Sequence, residues 1–233
     1  MNNLALVTAL FTEPARAFEA LAVKPRWAFP LVVTLFATAG LLGWYYARVD
    51  MTWLVDTTLR ANPRVAALSE AQLEQMIQRA SGPAAIWLSL VSALVFVLVM
   101  RLLEAVWYLL AGKVTNVERS FRQWFALACW TGLPQVVAAL AAVPVLLMTT
   151  TTQLDSSAIA PLSLNELFFH RKLGDPAQSF LVSINLMHLA GLALAVYGVR
   201  QWSRRSWLYA SLFVLLPPLL IFGTWGYFAL GRA

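Results

Sequence analysis

The stretch PAAIWLSLVSALVFVLVMRLLEAVWYLLA, residues 83–111, decides the fold. Its only charges are Arg101 and Glu104, three positions apart, and the rest is apolar all the way round a helix. At 1.5 Å per residue such a helix is roughly 42 Å long, against a hydrocarbon core of about 30 Å. It crosses a membrane with length to spare and has to tilt or protrude. Four more runs share its character, at 28–47, 125–148, 180–199 and 208–230. The expectation is an all-α membrane protein, a compact bundle of about five transmembrane helices with short amphipathic surface helices.

Composition agrees. Of 233 residues, 60% are hydrophobic and 12% charged, whereas a soluble domain is nearer half apolar and a quarter charged. The net charge of +6 could point to nucleic acid, but Lys and Arg sit beside the apolar runs and form no separate basic block. No nucleic acid partner is expected. Cys129, the single cysteine, falls inside an apolar run, which excludes an internal disulfide, disfavours a cysteine metal site and makes it a packing residue. The first residues lack a basic n-region and a convincing cleavage site, so no cleaved signal peptide is read.

Topology follows from the cations outside the runs. Arg16, Lys24, Arg26, Lys113, Arg119, Arg122, Arg200, Arg204 and Arg205 fall on one side, six of them in the short connections 112–124 and 200–207. The other side balances seven cations with seven acids. An odd span count then gives a bacterial inner-membrane protein with its N-terminus cytoplasmic and its C-terminus periplasmic. The chain divides into a cytoplasmic amphipathic segment, 1–27, lying along the inner surface, and a five-span membrane domain, 28–233, with outer loops 48–82 and 149–179. Trp27, Trp53, Trp87, Trp124, Trp202 and Trp207 lie near run boundaries and are read as headgroup-level anchors.

Each outer loop carries a capping signal. Ser69-Glu-Ala-Gln72 opens a helix that stops at Ser81-Gly-Pro83. Ser163-Leu-Asn-Glu166 opens a second, with Leu164, Leu167 and Phe168 as its apolar face and Gly174 and Pro176 as its stop. His170, Arg171 and Lys172 near its end complement the helix dipole or grip lipid phosphates. Arg171, Lys172, Arg204 and Arg205 are the candidate lipid-headgroup contacts.

Ionisable and polar groups at membrane depth are costly and therefore mark candidate sites. Arg101 and Glu104 can offset each other along one helix or serve a partner contact or proton coupling. Gln135, Asn185 and His188 serve interhelical hydrogen bonds or line a polar path, with Asn185 and His188 on one face of the fourth run. Pro134, Pro144 and Pro217-Pro218 interrupt helices, while Ala39 with Gly43, Gly191 with Ala195, and Gly223 with Gly226 permit close approach. The sequence has no phosphate loop, no His-Glu-x-x-His, no cysteine pair and no nucleophile elbow. No catalytic residue, metal or cofactor is expected.

Two stretches together carry a resemblance: FTEPARAFEALAVKPRW at 11–27 and LAGKVTNVERSFRQWFALACWTGLP at 110–134. A Pro14-x-x-x-Phe18 helix precedes Pro25-x-Trp27, a turn containing Gly112 leads to Ser120-Phe-Arg-Gln123, and Pro134 follows small residues. With the five-run count, the whole resembles the bacterial branch of the Yip family, named for Ypt-interacting proteins. The resemblance implies a five-span membrane protein whose eukaryotic relatives bind prenylated Rab GTPases. The long soluble N-terminal tail of many of those relatives is not expected here, so the resemblance does not carry their GTPase binding over directly. The expected function is an integral membrane adaptor or organising protein, non-enzymatic, binding membrane lipids and a membrane-protein partner or a second copy of itself. The alternative is a transport component moving a lipid or small solute through the bundle.

Overall fold

The structure, a computed structural model, describes residues 1–62, 65 and 67–231; positions 63, 64 and 66 of the first outer loop and positions 232 and 233 of the membrane domain lie outside the described residues. Among the described residues eleven α-helices follow in order: α1 Asn3–Thr12, α2 Pro14–Val23, α3 Ala28–Arg48, α4 Met51–Arg60, α5 Glu70–Ser81, α6 Pro83–Val114, α7 Phe121–Thr131, α8 Pro134–Met148, α9 Gln178–Ser183, α10 Leu186–Ser203 and α11 Trp207–Leu230. The protein is all-α. Four helical stretches are long and apolar enough to cross a membrane: α3, α6, α7 continuing into α8 over Phe121–Met148, and α11. At 32 residues, α6 outruns even the sequence expectation.

The apolar run 180–199 departs from a single span. It splits into α9 and α10 because the segment 162–164 takes its backbone bonds. The Leu164 N–H donates to the Ile184 carbonyl and the Leu186 N–H to the Leu162 carbonyl, so Ser163 and Asn185 form an antiparallel bridge. Asn185 therefore sits in extended chain, and it does not share a helix face with His188.

The chain folds as two compact units. One comprises residues 1–35, 96–136 and 187–224; the other comprises 36–95, 137–186 and 225–233. The first is built on α7. The Ser120 and Gln123 side chains form a reciprocal capping box at its start, and residues 124–131 are all buried. Proline at position 14 starts α2, and Phe18 and Leu21 on one face of it are completely buried in the same core as Leu6, Leu10 and Trp124. The face carrying Leu6, Leu10, Phe18 and Leu21 is covered by protein, while Leu4 and Phe11 of α1 stay exposed. Long-range bonds fix it there: the Trp202 indole donates to the Phe18 carbonyl at 2.8 Å, and Gln123 Nε2 donates to the Ala22 carbonyl at 2.7 Å.

Two of the expected anchors are thus core residues, since Trp124 is fully buried and Trp202 nearly so, their tilted rings 5.4 Å apart. Trp87 and Trp207 remain largely exposed, as an interfacial ring would be. Cys129 is buried in this core, as expected of a packing residue.

The second unit holds the loop helices. The capping box of Ser69 and Gln72 forms and opens α5 as the sequence predicts. The sequence reading missed α4, which Asp50 caps through the Trp53 N–H. Arg60 ties the two by bonding both Glu70 and Asp56, which raises its pKa further above the ordinary value, Glu70 first. Tyr45 near the end of α3 donates to the Leu154 carbonyl at 2.9 Å, and Arg48 donates to the Thr149 carbonyl.

The helix expected after Ser163 is shorter than read. Ser163 does accept from the Glu166 N–H, but the segment is a five-residue π-type turn, Asn165–Phe169. It ends at His170 in the left-handed conformation, well before Gly174. The Glu166 carboxylate accepts from Asn165 Nδ2 and so does not close a reciprocal box. Phe168 and Phe169 stay exposed.

Candidate functional site

The polar cluster begins where α7 ends. A helix leaves its last carbonyls without backbone donors, and Pro134, which has no N–H, cannot continue the ladder. The Gly132 N–H turns back to Trp130, and Leu133 and Gln135 follow in a tight turn. Arg101, reaching across from α6, supplies a missing donor: its Nη1 donates to the Ala128 carbonyl at 3.0 Å. The same nitrogen meets Glu104 Oε2 at 2.8 Å. One guanidinium thus serves as the cationic cap of α7 and the counter-charge of its own helix neighbour.

Two glycines make the geometry possible. A Cβ on Gly132 would lie 3.0 Å from Arg101 Nη1, so the guanidinium occupies space that any side chain there would claim. A Cβ on Gly191 would lie 2.5 Å from the Thr131 carbonyl oxygen, which shows how closely α10 approaches the end of α7. The other small-residue pairs behave differently: nothing lies within 4 Å of a Cβ on Gly43 or Gly223, while one on Gly226 would strike the Phe180 ring.

Arg101, Glu104, Tyr108, Gln135 and His188 line one chamber with about 20 Å³ in which the centre of a water fits. That is room for about one water. The sequence candidates Arg101, Glu104, Gln135 and His188 therefore converge, and Asn185, in the other unit, does not join them. The sequence reading missed Tyr108, Thr131 and Gly132. Gly132 directly before Leu-Pro134 was the available signal, because Gly and Pro together mark a helix end that needs a cap.

The headgroup candidates separate too. The Arg171 backbone is clamped by Asn165 and its side chain meets Asp175 at 3.1 Å, beside Lys172. In the other unit, Arg205 donates to the Thr115 carbonyl and lies over the Tyr209 ring, while Arg204 is exposed with left-handed backbone. Among the described residues, no group of three or more His, Cys, Asp or Glu is arranged to hold a metal.

Helices of this length and apolarity, joined around a capped and charge-balanced interior, define a helical integral membrane protein. The Yip1 domain matches residues 8–228, nearly the whole chain, and the protein belongs to the Yip family. No curated protein and no solved structure was found to match it.

Proposed function

We propose that this Yip-family protein is a non-enzymatic membrane adaptor or organising protein that binds a membrane-protein partner or lipid through its surface. The carrying observation is where its charge lies. The unit built on α7 holds ten Lys and Arg against four Asp and Glu, net +6, and the other unit balances seven against seven. Three of those cations, Arg119, Arg200 and Arg205, are held by rings and carbonyls rather than by acids. Arg200 lies 4.3 Å from the Trp207 ring centroid and Arg205 4.7 Å from that of Tyr209, and Arg119 donates to the Trp202 carbonyl. Their positive charge stays available to a partner's anions.

The same asymmetry supports a bacterial inner-membrane location with this unit's loops, and the N-terminus, on the cytoplasmic side. It also supports α10, at 18 residues and about 27 Å, as a fifth crossing. Gentle detergent extraction followed by crosslinking should retain a stoichiometric partner that Arg204→Gln/Arg205→Gln releases. Repeated recovery of this chain alone, with no second protein, refutes the protein-partner reading. One observation favours the transport alternative: ionisable groups on separate helices share a chamber. Solute or lipid flux in liposomes that His188→Ala abolishes would replace the adaptor reading with it.

A further inference from the structure

Away from the capped cluster, the segment joining α2 to α3 forms a cationic notch. Lys24, Arg26 and Arg122 line a cavity of about 560 Å³ together with Asn3, Trp27 and Phe29. Its charge is uncompensated: none of the ion pairs among the described residues includes Lys24, Arg26 or Arg122. Only Asn3, a neutral acceptor, meets Arg26, at 3.5 Å.

The notch is also held in shape. The Ala22 carbonyl is fixed by Gln123 and the Arg26 carbonyl by the Trp130 indole, so the chain is tied to α7 on both sides of Val23, Lys24 and Pro25. Pro25 removes a further degree of freedom. Arg122, at the second position of α7, is carried by the helix that makes both ties. Three cations therefore converge without the ordering cost that three free side chains on a loop would bear.

The walls are amphipathic. Trp27 rests on Phe125 with ring centroids 5.4 Å apart, and Phe29 leads into the apolar span α3. Val23, at the rim, is 88% exposed, unusual for an aliphatic side chain facing only water. A ligand suited to these walls has a phosphate at one end and hydrocarbon at the other.

The geometry points to a binding site for an anionic glycerophospholipid, its phosphate among Lys24, Arg26 and Arg122 and its acyl chains running from Val23 and Phe29 along α3. This deepens the adaptor reading by naming a lipid class, and the two fail separately, since partner recovery and lipid retention are read in different assays.

The test is native mass spectrometry of the full chain in detergent, titrated with phosphatidylglycerol or phosphatidylcholine. Wild type should retain one phosphatidylglycerol in preference to phosphatidylcholine. Removing a surface cation weakens anionic-lipid attraction about fivefold, so Lys24→Gln/Arg26→Gln/Arg122→Gln should weaken retention on the order of a hundredfold. Arg16→Gln/Arg79→Gln/Lys113→Gln, outside the notch, should leave that retained lipid in place and serves as the charge-matched comparison. Unchanged helicity and melting temperature would show that the triple variant remains folded; if it does not, the single variant Lys24→Gln, at an exposed position, has to show the fivefold loss. Equal retention by wild type and variant, equal retention of both lipids, or displacement of the lipid by millimolar inorganic phosphate would each overturn the assignment.

Discussion

Removing Arg101 and Glu104 separately and together tests whether their pairing is what the bundle needs from them. At 2.8 Å the gross attraction in an effective dielectric of 20 is about 6 kcal/mol. Desolvation offsets much of that, so the net worth of the pair against an apolar substitute is small, while breaking it by one partner costs roughly 3–5 kcal/mol. Arg101→Met should sit at the upper end of that range, because it also removes the donor to the Ala128 carbonyl. Glu104→Gln should cost about 1–3 kcal/mol, since the amide oxygen can still accept from the guanidinium. Arg101→Met/Glu104→Gln should cost only about 2–3 kcal/mol, for a neutral amide left without its donor and an Ala128 carbonyl left with the Thr131 hydroxyl alone. The coupling between the two sites is then at least roughly 2 kcal/mol. Unfolding in bicelles followed by tryptophan emission measures all three variants. A double-variant loss equal to the sum of the singles would refute the pairing argument and move both residues to separate roles.

Gly191→Ala and Gly223→Ala should part company in the same unfolding assay. The first drives a methyl against the Thr131 carbonyl and should cost about 1–3 kcal/mol, whereas the second meets nothing within 4 Å and should be neutral or stabilising by roughly 0.5–1 kcal/mol. Reporter fusions after residues 118, 165 and 204 should place 118 and 204 in one compartment and 165 in the other. If 165 and 204 share a compartment, α10 does not cross.

Local chemistry was legible wherever neighbours along the chain suffice to determine it. Ser69 with Gln72 encodes its helix start completely, and Arg101 with Glu104 encodes an ion pair through three-residue spacing alone. The reading failed where a distant segment intervened. Residues 180–199 look like one helix, but 162–164 hydrogen-bond into the middle of the run and break it. Boundary tryptophans look like lipid anchors, yet Trp124 and Trp202 face a core that the α1 and α2 pair helps to close, and no periodicity within α2 distinguishes a lipid cover from a protein one. Of the cluster, the polar members were visible as costly residues in apolar runs. Their meeting was not, because Gly132 and Gly191 set it through interhelical approach.

The bond from Trp202 to the Phe18 carbonyl spans 184 positions of chain. During synthesis at about 5–20 residues per second, roughly ten to forty seconds separate the emergence of its two ends. For that interval α7 is in place but the α10 wall carrying Gly198 and Trp202 is not, and the part of Phe18 that it covers is open to the insertion machinery or to a holding chaperone. The N-terminal pair of helices, first to be made, is among the last to have its seat completed, so a chain truncated before residue 202 should leave that part in view of the cell's proteases.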